Sequence, residues 1–157
     1  MIQKIKPFLW FDNQAEDAAN FYRSIFKDSK ILKIARYPEG SPAPAGSVMV
    51  VSFQIEGQEF MALNAGPLFK FTEAISFLIA CETQEEVDHY WNKLLAGGQE
   101  SQCGWLKDKY GLSWQVTPTI LSELLAEKDH KKAQQVMKTM LQMKKIDIAT
   151  LKRAAQE

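Results

Sequence analysis

The sequence is poor in the residues that build covalent or metal-bound frameworks. Its 157 residues include only two cysteines, Cys81 and Cys103, and only two histidines. Two cysteines are too few for a disulfide framework and fit a reducing compartment, so we expect a cytoplasmic protein. No apolar run approaches the roughly 20 residues of a membrane-spanning helix, which excludes a membrane partner. The length favours a single domain with a substantial core.

The charge is balanced overall but unevenly distributed. The formal net charge is zero, yet residues 128–157 hold eight Lys or Arg against three Asp or Glu, an excess of five positive charges. Basic tails can contact nucleic acid. Here the basic residues are spaced along amphipathic segments without interleaved aromatic residues, so we expect no nucleic-acid partner.

The hydrophobic pattern predicts an α+β fold in two similar halves. Apolar periodicity predicts one helix with an apolar face from Ala15 to Phe26 and a second with an apolar face from Val87 to Leu95. Alternating or continuous apolar runs predict strands at Lys4–Phe11, Lys30–Tyr37, Ser47–Ile55, Glu59–Leu63, Ala74–Cys81, Ser101–Lys107 and Leu112–Thr117. The order is therefore β-α-β-β-β followed by β-α-β-β, unless a short additional strand lies near Gln99.

Local signals mark the ends of these elements. Asn13 with Glu16 three residues later predicts an imperfect capping box for the first helix, and Thr83 with Glu86 predicts a complete one for the second. Gly97-Gly98 is typical of a helix C-terminus. In the second strand, the alternation would place Leu32 and Ile34 on one face. The segment Pro38–Gly46 is rich in proline and glycine, which predicts an exposed, mobile loop.

The chain after Pro118 is predicted to be helical. Apolar stripes recur at helical spacing, and Asp147 is a candidate N-cap for the last of them. A stripe containing Met137 and Met140 is more often a core or dimer face than a cofactor site, which favours a homodimer.

Five stretches of the sequence resemble a known family. They are "KPFLWFDNQAEDAANFY", "FTEAISFLIAC", "EEVDHYWNKL", "CGWLKDKYGLSWQVTP" and "KIDIATLKRA". The chain resembles the PhnB-like family, labelled 3-demethylubiquinone-9 3-methyltransferase, within the vicinal oxygen chelate (glyoxalase/bleomycin-resistance) superfamily. The resemblance implies paired βαβββ modules that form a curved mixed sheet. It places a glyoxalase-like domain at residues 1–118, in halves of about 1–67 and 68–118, with residues 119–157 as a helical extension.

The superfamily resemblance implies a divalent metal held by His or Glu from four strands. The corresponding positions in this chain are Lys6, Asn64, a residue near Glu73, and Gln115. An ammonium repels a cation, and an amide is a poor substitute for a carboxylate. His89 lies on the polar side of the second helix and His130 lies in a charged segment. We therefore expect no metal site.

The family label implies S-adenosylmethionine as a cofactor. Most enzymes that use this cofactor hold it at a Gly-rich turn in a doubly wound sheet. The sequence has no such turn, so we predict no cofactor, although S-adenosylmethionine and a divalent metal both stay open.

The remaining pattern favours an apolar pocket with a few polar groups. The candidate ligand-binding residues are Lys6, Phe8, Trp10, Phe53, Asn64, Phe71, Ser76, Trp105, Trp114 and Gln115. The hypothesis is metal-free binding of a small hydrophobic or aromatic molecule. The alternative is an enzyme acting on such a molecule, including the activity in the family label. Its acid/base group would be Glu73, as a general base whose pKa is raised by burial, or Lys6. The pattern does not decide whether Cys81 and Cys103 lie close together.

Overall fold

A computed structural model describes residues 2–157, and Met1 lies outside this range. The described chain forms two compact units, of which the first ends at Lys70 and the second spans Phe71–Glu157. Each unit contains one four-stranded mixed sheet, which confirms the predicted α+β class. The elements are β1 (Phe8–Phe11), α1 (Ala15–Ile25), β2 (Ser29–Arg36), β3 (Val48–Ile55), β4 (Gln58–Asn64), β5 (Ser76–Cys81), α2 (Gln84–Leu95), β6 (Gln99–Glu100), β7 (Trp105–Lys107), β8 (Ser113–Pro118), α3 (Ile120–Leu125), α4 (His130–Leu141) and α5 (Ile148–Ala154).

The sheet of the first unit has the order β1-β4-β3-β2. β1 pairs with β4 in parallel, and the other pairs are antiparallel. Because side chains alternate along a strand, one face of this sheet is buried beneath α1. That core consists of Leu9, Phe11, Ala15, Ala18, Ala19, Tyr22, Ile25, Val51, Phe53, Ile55, Phe60 and Ala62. The opposite face carries Phe8 and Trp10 and is partly exposed.

β1 is shorter than the predicted strand Lys4–Phe11, because residues 4–7 are not paired in the sheet. Pro7 has no N–H to donate to a ladder. Before Pro7, the side-chain amide of Gln3 bonds the backbone of Glu59 in β4, as a neighbouring strand's backbone would. It donates to the carbonyl of Glu59 at 3.0 Å and accepts from the Glu59 N–H at 2.8 Å.

β2 contains an irregularity that the simple alternation did not predict. Its pairing with β3 shifts between Ile31 and Lys33, so Leu32 is left out of the ladder. A bulge of this kind reverses the alternation downstream. The residues paired with the buried Phe53 and Val51 are therefore Ile31 and Ile34, and Leu32 is 43% exposed. The expectation that Leu32 and Ile34 share a face was wrong.

The second unit has the sheet order β5-β8-β7-β6. The second half is not abbreviated, because β6 at Gln99–Glu100 is the short additional strand that the sequence had left open as an alternative. α2 begins as predicted, since the Thr83 side chain accepts from the N–H of Glu86. The Glu86 carboxylate in turn accepts from the N–H of Glu82 at 3.0 Å. β7 starts only at Trp105 because positive φ angles at Cys103 and Gly104 interrupt the strand before it.

Helices α3, α4 and α5 enclose a small core of their own within the second unit. Its buried residues are Val136, Ile146 and Leu151. Asp147 caps α5 as predicted, accepting from the N–H of Thr150 at 2.9 Å. None of the helices in residues 2–157 combines the length and the apolar character needed to cross a membrane.

Candidate functional site

The first unit contains a cavity of about 690 Å³ where β1 and β4 end. The segment between β2 and β3 forms one wall, through Pro42, Ala43 and Pro44. The chain that leads into α1 forms another. Ligand-binding cavities in proteins commonly measure about 300–1,000 Å³ and are mostly apolar. This cavity has both properties, and it is therefore the candidate site.

Asn64 fixes the geometry of this cavity from the end of β4. Its Oδ1 accepts from the N–H of Ala15 at 2.8 Å, and its Nδ2 donates to the carbonyl of Val48 at 3.2 Å. The Tyr37 hydroxyl donates to the carbonyl of Asn64. Asn64 thus supplies the first N–H of α1 with an acceptor. The expectation that Asn13 caps this helix was wrong, since the N-cap position is Gln14 and no side chain of its own caps it.

Three carboxylates give the cavity a negative side. Asp12, Glu16 and Asp17 line it, and no Lys or Arg does so among the residues described. Glu16 and Asp17 lie in the first turn of α1, where the helix dipole stabilises negative charge. The arrangement favours a neutral or positively charged ligand over an anion.

The exposed face of the first sheet holds further predicted residues. The indole N–H of Trp10 donates to the carbonyl of Gly66 at 2.9 Å, and its ring meets Phe69 edge-on at 4.9 Å between centroids. Phe8 is 53% exposed. Lys6 is engaged by Glu59, with 3.1 Å between Nζ and Oε2.

Phe53 lies on the opposite, buried face of the same sheet. It is 2% exposed and stacks between the rings of Tyr22 and Phe60. We therefore reassign Phe53 from the candidate ligand contacts to the core.

The second sheet brings two of the predicted polar residues together. Gln115 on β8 donates through Nε2 to Ser76 Oγ on β5 at 2.8 Å, and Trp105 is the partner of Gln115 across β7 and β8. Phe71 precedes this sheet and is partly exposed. Trp114 is instead buried, 3% exposed, and donates its indole N–H to Asp108, so we reassign it to the core as well.

Glu73 is not the buried carboxylate with a raised pKa that the enzyme alternative requires. Its carboxylate forms an ion pair with Lys107, and more than half of its side chain is exposed. The hydrogen bond from Lys107 lowers the pKa of Glu73 below its ordinary value. A general base of this kind would need a raised pKa, produced by burial. Glu73 is therefore an ionised, solvated partner of Lys107.

The residues at the four metal positions do not fit a metal site. Lys6 and Glu73 are occupied by ion pairs. Both side-chain atoms of Asn64 are used by backbone groups, and Gln115 is bonded to Ser76. Across residues 2–157, no three His, Cys, Asp or Glu side chains are grouped so that they could hold a metal ion.

The glycine pair is likewise no cradle for S-adenosylmethionine. Gly97 has φ +76° just after α2, as expected for a helix end. A Cβ on Gly98 would lie 2.1 Å from the carbonyl oxygen of Lys107. Backbone already fills the space beside Gly98, so the pair is explained by packing.

Two features of the cavity, one of its walls and its acidic side, were not predicted from the sequence. The segment Pro38–Gly46 was expected to be only a mobile loop, but three of its residues form a wall of the cavity. The acidic side of the cavity could have been predicted from the sequence, because Asp12, Glu16 and Asp17 lie close together at the start of the predicted first helix. The two cysteines are both free thiols.

Comparison with known proteins identifies the family. Residues 3–117 match the family model described as 3-demethylubiquinone-9 3-methyltransferase. The PhnB protein from Bacillus cereus is 42% identical, with a TM-score of 0.69, and the alignment covers 74% of this chain and all of that one. No curated protein gives a significant match.

More distant structures share the fold alone. PA1353 from Pseudomonas aeruginosa is 19% identical with a TM-score of 0.63, over 74% of this chain and 98% of that one. The fosfomycin resistance protein FosX from Listeria monocytogenes is 17% identical with a TM-score of 0.53, over 78% and 98% of the two chains. The family model ends before α3, so the three C-terminal helices lie beyond it. Over residues 3–117, this chain belongs to the PhnB-like family described as 3-demethylubiquinone-9 3-methyltransferase, and its fold is that of the glyoxalase/vicinal oxygen chelate proteins.

Proposed function

We propose that this protein binds a small molecule with an apolar or aromatic body, without a bound metal ion, in the cavity of its first unit. The observation that carries the proposal is the cavity of about 690 Å³ between α1, the proline-rich segment and the end of β4. Its volume suits a drug-sized molecule. The acidic side adds a preference for a neutral or cationic ligand.

A binding role is favoured over a chemical one by the groups that are present. The enzyme alternative, including the activity in the family label, has Glu73 as its best candidate, as a base with a raised pKa, and Lys6 is paired with Glu59. The pKa of Glu73 is lowered by Lys107, which makes its carboxylate a weaker base. By contrast, the cavity needs no reactive group to hold a ligand.

The binding experiment uses two probes of similar size and opposite charge. We expect benzyltrimethylammonium to bind to the purified protein in isothermal titration calorimetry and phenylacetate to bind at least fivefold more weakly. Ala43→Trp should abolish binding because the indole would occupy the cavity. Ala45→Trp is the matched control, since Ala45 is exposed in the same segment and does not line the cavity.

Two results would contradict the proposal. Equal loss of binding in Ala43→Trp and Ala45→Trp would mean that the segment, and not the cavity, is responsible. Unchanged binding in Ala43→Trp would move the site elsewhere, for instance to the aromatic face around Phe8 and Trp10. Loss of the charge preference in Glu16→Gln with Asp17→Asn would support the role of these carboxylates.

Metal analysis tests the metal-free part of the proposal separately. We expect elemental analysis of protein purified without chelator to give far less than one equivalent of Zn, Mn or Ni. Binding of the benzyltrimethylammonium probe should be the same after treatment with a chelator. A stoichiometric metal whose removal abolishes binding would overturn this part.

We also propose a homodimer in the cytoplasm. Met137 and Leu141, one turn apart on α4, are 41% and 53% exposed, which supports contact with a second copy. Both cysteines are free, in keeping with a reducing compartment. Light scattering after gel filtration at micromolar concentration tests the dimer, and Met137→Glu should shift it towards the monomer. A wild-type monomer under these conditions would contradict it.

A further inference from the structure

A row of polar side chains crosses the sheet of the second unit on the face opposite α2. Strand pairing aligns Ser76 with Ser113, Ser113 with Lys107, and Lys107 with Gln99. Aligned partners in neighbouring strands point to the same face. The row therefore runs across all four strands, from β5 to β6.

Ser113 is the unusual member of this row. It is 1% exposed, and its Oγ has no hydrogen-bond partner among residues 2–157. Buried hydroxyl groups in proteins nearly always have a hydrogen-bond partner. A hydroxyl that loses its water without gaining a partner destabilises the folded state. A buried hydroxyl without a protein partner indicates that something outside the chain pairs with it.

A cavity lies beside Ser113 in which such a partner can sit. Its volume is about 160 Å³, and Ser113, Lys107, Gln99, Glu73, Glu100 and Trp105 contribute to its lining. A water molecule occupies roughly 30 Å³ in the liquid, so the cavity has room for about five non-hydrogen atoms or slightly more. It lies wholly within the second unit and is separate from the cavity proposed above.

The charges around this cavity are paired with one another. Lys107 is paired with Glu73, and Glu100 is paired with Lys144 at 2.9 Å. Two carboxylates line the cavity against one ammonium group, so an anion gains little there. The lining nevertheless offers hydrogen-bond acceptors at Glu73 and Glu100, and donors at Lys107 and Ser113.

We infer that this cavity binds a small, uncharged polyhydroxylated molecule of about three carbons, with Ser113 as a direct hydrogen-bond partner. Hydroxyl groups donate to carboxylates and accept from ammonium and serine hydroxyl groups, so one ligand class satisfies both kinds of lining group. The ring of Trp105 provides an apolar surface for the carbon atoms. The Oγ of Ser113 is not bonded to Lys107, so the pair is not arranged as a nucleophile and its base.

Glycerol is the probe that tests this inference, with acetate as the anionic comparison. Each is titrated into the full-length, isotopically labelled protein, and two-dimensional NMR follows the Ser113 amide and the Trp105 indole N–H. We expect saturable shifts of both signals with glycerol and no saturable shifts with acetate. Ser113→Ala should weaken glycerol binding at least fivefold.

Two further variants keep the test decisive. Ser122→Ala is the matched control, because Ser122 is exposed on α3 and its hydroxyl donates to the Thr119 carbonyl, away from the cavity lining, and it should bind glycerol like the wild type. Gln99 is exposed on β6, so Gln99→Ala should fold even if Ser113→Ala does not, and it should also weaken binding. Non-saturable shifts spread over the surface, or equal glycerol binding in wild type and Gln99→Ala, would overturn the inference. Saturable binding of acetate in preference to glycerol would overturn the ligand class.

Discussion

The indole N–H of Trp114 donates to Oδ2 of the buried Asp108 over 2.9 Å. The other carboxylate oxygen, Oδ1, accepts from the backbone N–H groups of Tyr110 and Leu112 at 2.9 and 3.1 Å. Asp108 is 3% exposed. One carboxylate therefore closes the turn between β7 and β8 and also fixes a core tryptophan. The buried Asp108 therefore has a structural role that needs neither a metal ion nor a catalytic function.

Replacing Asp108 with Asn should destabilise the protein by about 2–3 kcal/mol. The amide keeps an acceptor for the turn, but its NH₂ group then faces the N–H of Trp114, which leaves two buried donors opposed. The free energy of unfolding in urea measures the effect. Asp129→Asn is the control, because Asp129 is an exposed N-cap and Asn caps helices equally well. A loss below 0.5 kcal/mol in Asp108→Asn would show that the carboxylate is not required.

Asn64 gives a second prediction that links the candidate cavity to stability. In Asn64→Ala, the N–H of Ala15 and the carbonyl of Val48 both lose their partners, so we expect a loss of about 1–3 kcal/mol in urea unfolding. Asn92→Ala, at an exposed position within α2, should change stability by less than about 0.5 kcal/mol. Equal effects in the two variants would contradict the capping role of Asn64.

The sequence predicted most of the architecture because the apolar periodicity is strong. It located both main helices and the hairpin between β3 and β4, and it left the short β6 open as an alternative. It failed where a residue distant in sequence replaces a local signal. The start of α1 is the clearest case, since Asn13 and Glu16 suggested a local cap while the acceptor comes from Asn64. The bulge at Leu32 is another, because only pairing with β3 reveals it.

The candidate site was harder to predict than the fold. Alternation places Phe53 and Phe8 in similar apolar strands, but it cannot tell the buried face from the exposed one without the helix that covers it. Of the predicted binding residues, Asn64 lines the larger cavity and Trp105 lines the smaller one. The walls from Pro42 to Pro44 could not be predicted, because a proline-rich segment has no periodicity to define where it lies.

Cys81 and Cys103 should differ in reactivity. Cys81 is fully buried, and burial, assisted by the nearby Glu86, raises the pKa of its thiol to about 12. Because the thiolate is the reactive form, iodoacetamide at pH 8 should modify the partly exposed Cys103 and leave Cys81 unmodified. Peptide mass spectrometry gives the ratio, and unfolding in urea should make both sites react.

The same shift in pKa predicts how stability depends on pH. The pKa of Cys81 is higher in the folded state than the value of about 8.5 of an unfolded thiol. Its contribution to stability is therefore complete below about pH 8.5 and is lost as the pH rises towards 12. Cys81→Ala should unfold with a smaller dependence on pH between 8.5 and 10 than the wild type. An equal slope for the two proteins would contradict the assignment.

Glycine is required at positions 98 and 57 for different reasons, a close backbone contact at Gly98 and a positive φ angle at Gly57. A Cβ on Gly98 would lie 2.1 Å from the backbone oxygen of Lys107, whereas one on Gly57 would meet nothing within 4 Å. Gly57 instead has φ +80° in the turn between β3 and β4. Gly98→Ala must displace backbone and should cost about 3 kcal/mol. Gly57→Ala should cost about 1 kcal/mol, because alanine disfavours the left-handed backbone conformation of residue 57.

Urea unfolding of both glycine variants measures this difference. The backbone displaced in Gly98→Ala belongs to β7, so the same variant should alter the NMR signals of Lys107 and its partner Ser113. Gly57→Ala should leave those signals unchanged, because its turn belongs to the first unit. If the two variants lose equal stability, crowding by Lys107 is not what requires glycine at position 98. If only Gly98→Ala perturbs Ser113, the close contact between Gly98 and Lys107 of β7 also determines the shape of the smaller cavity.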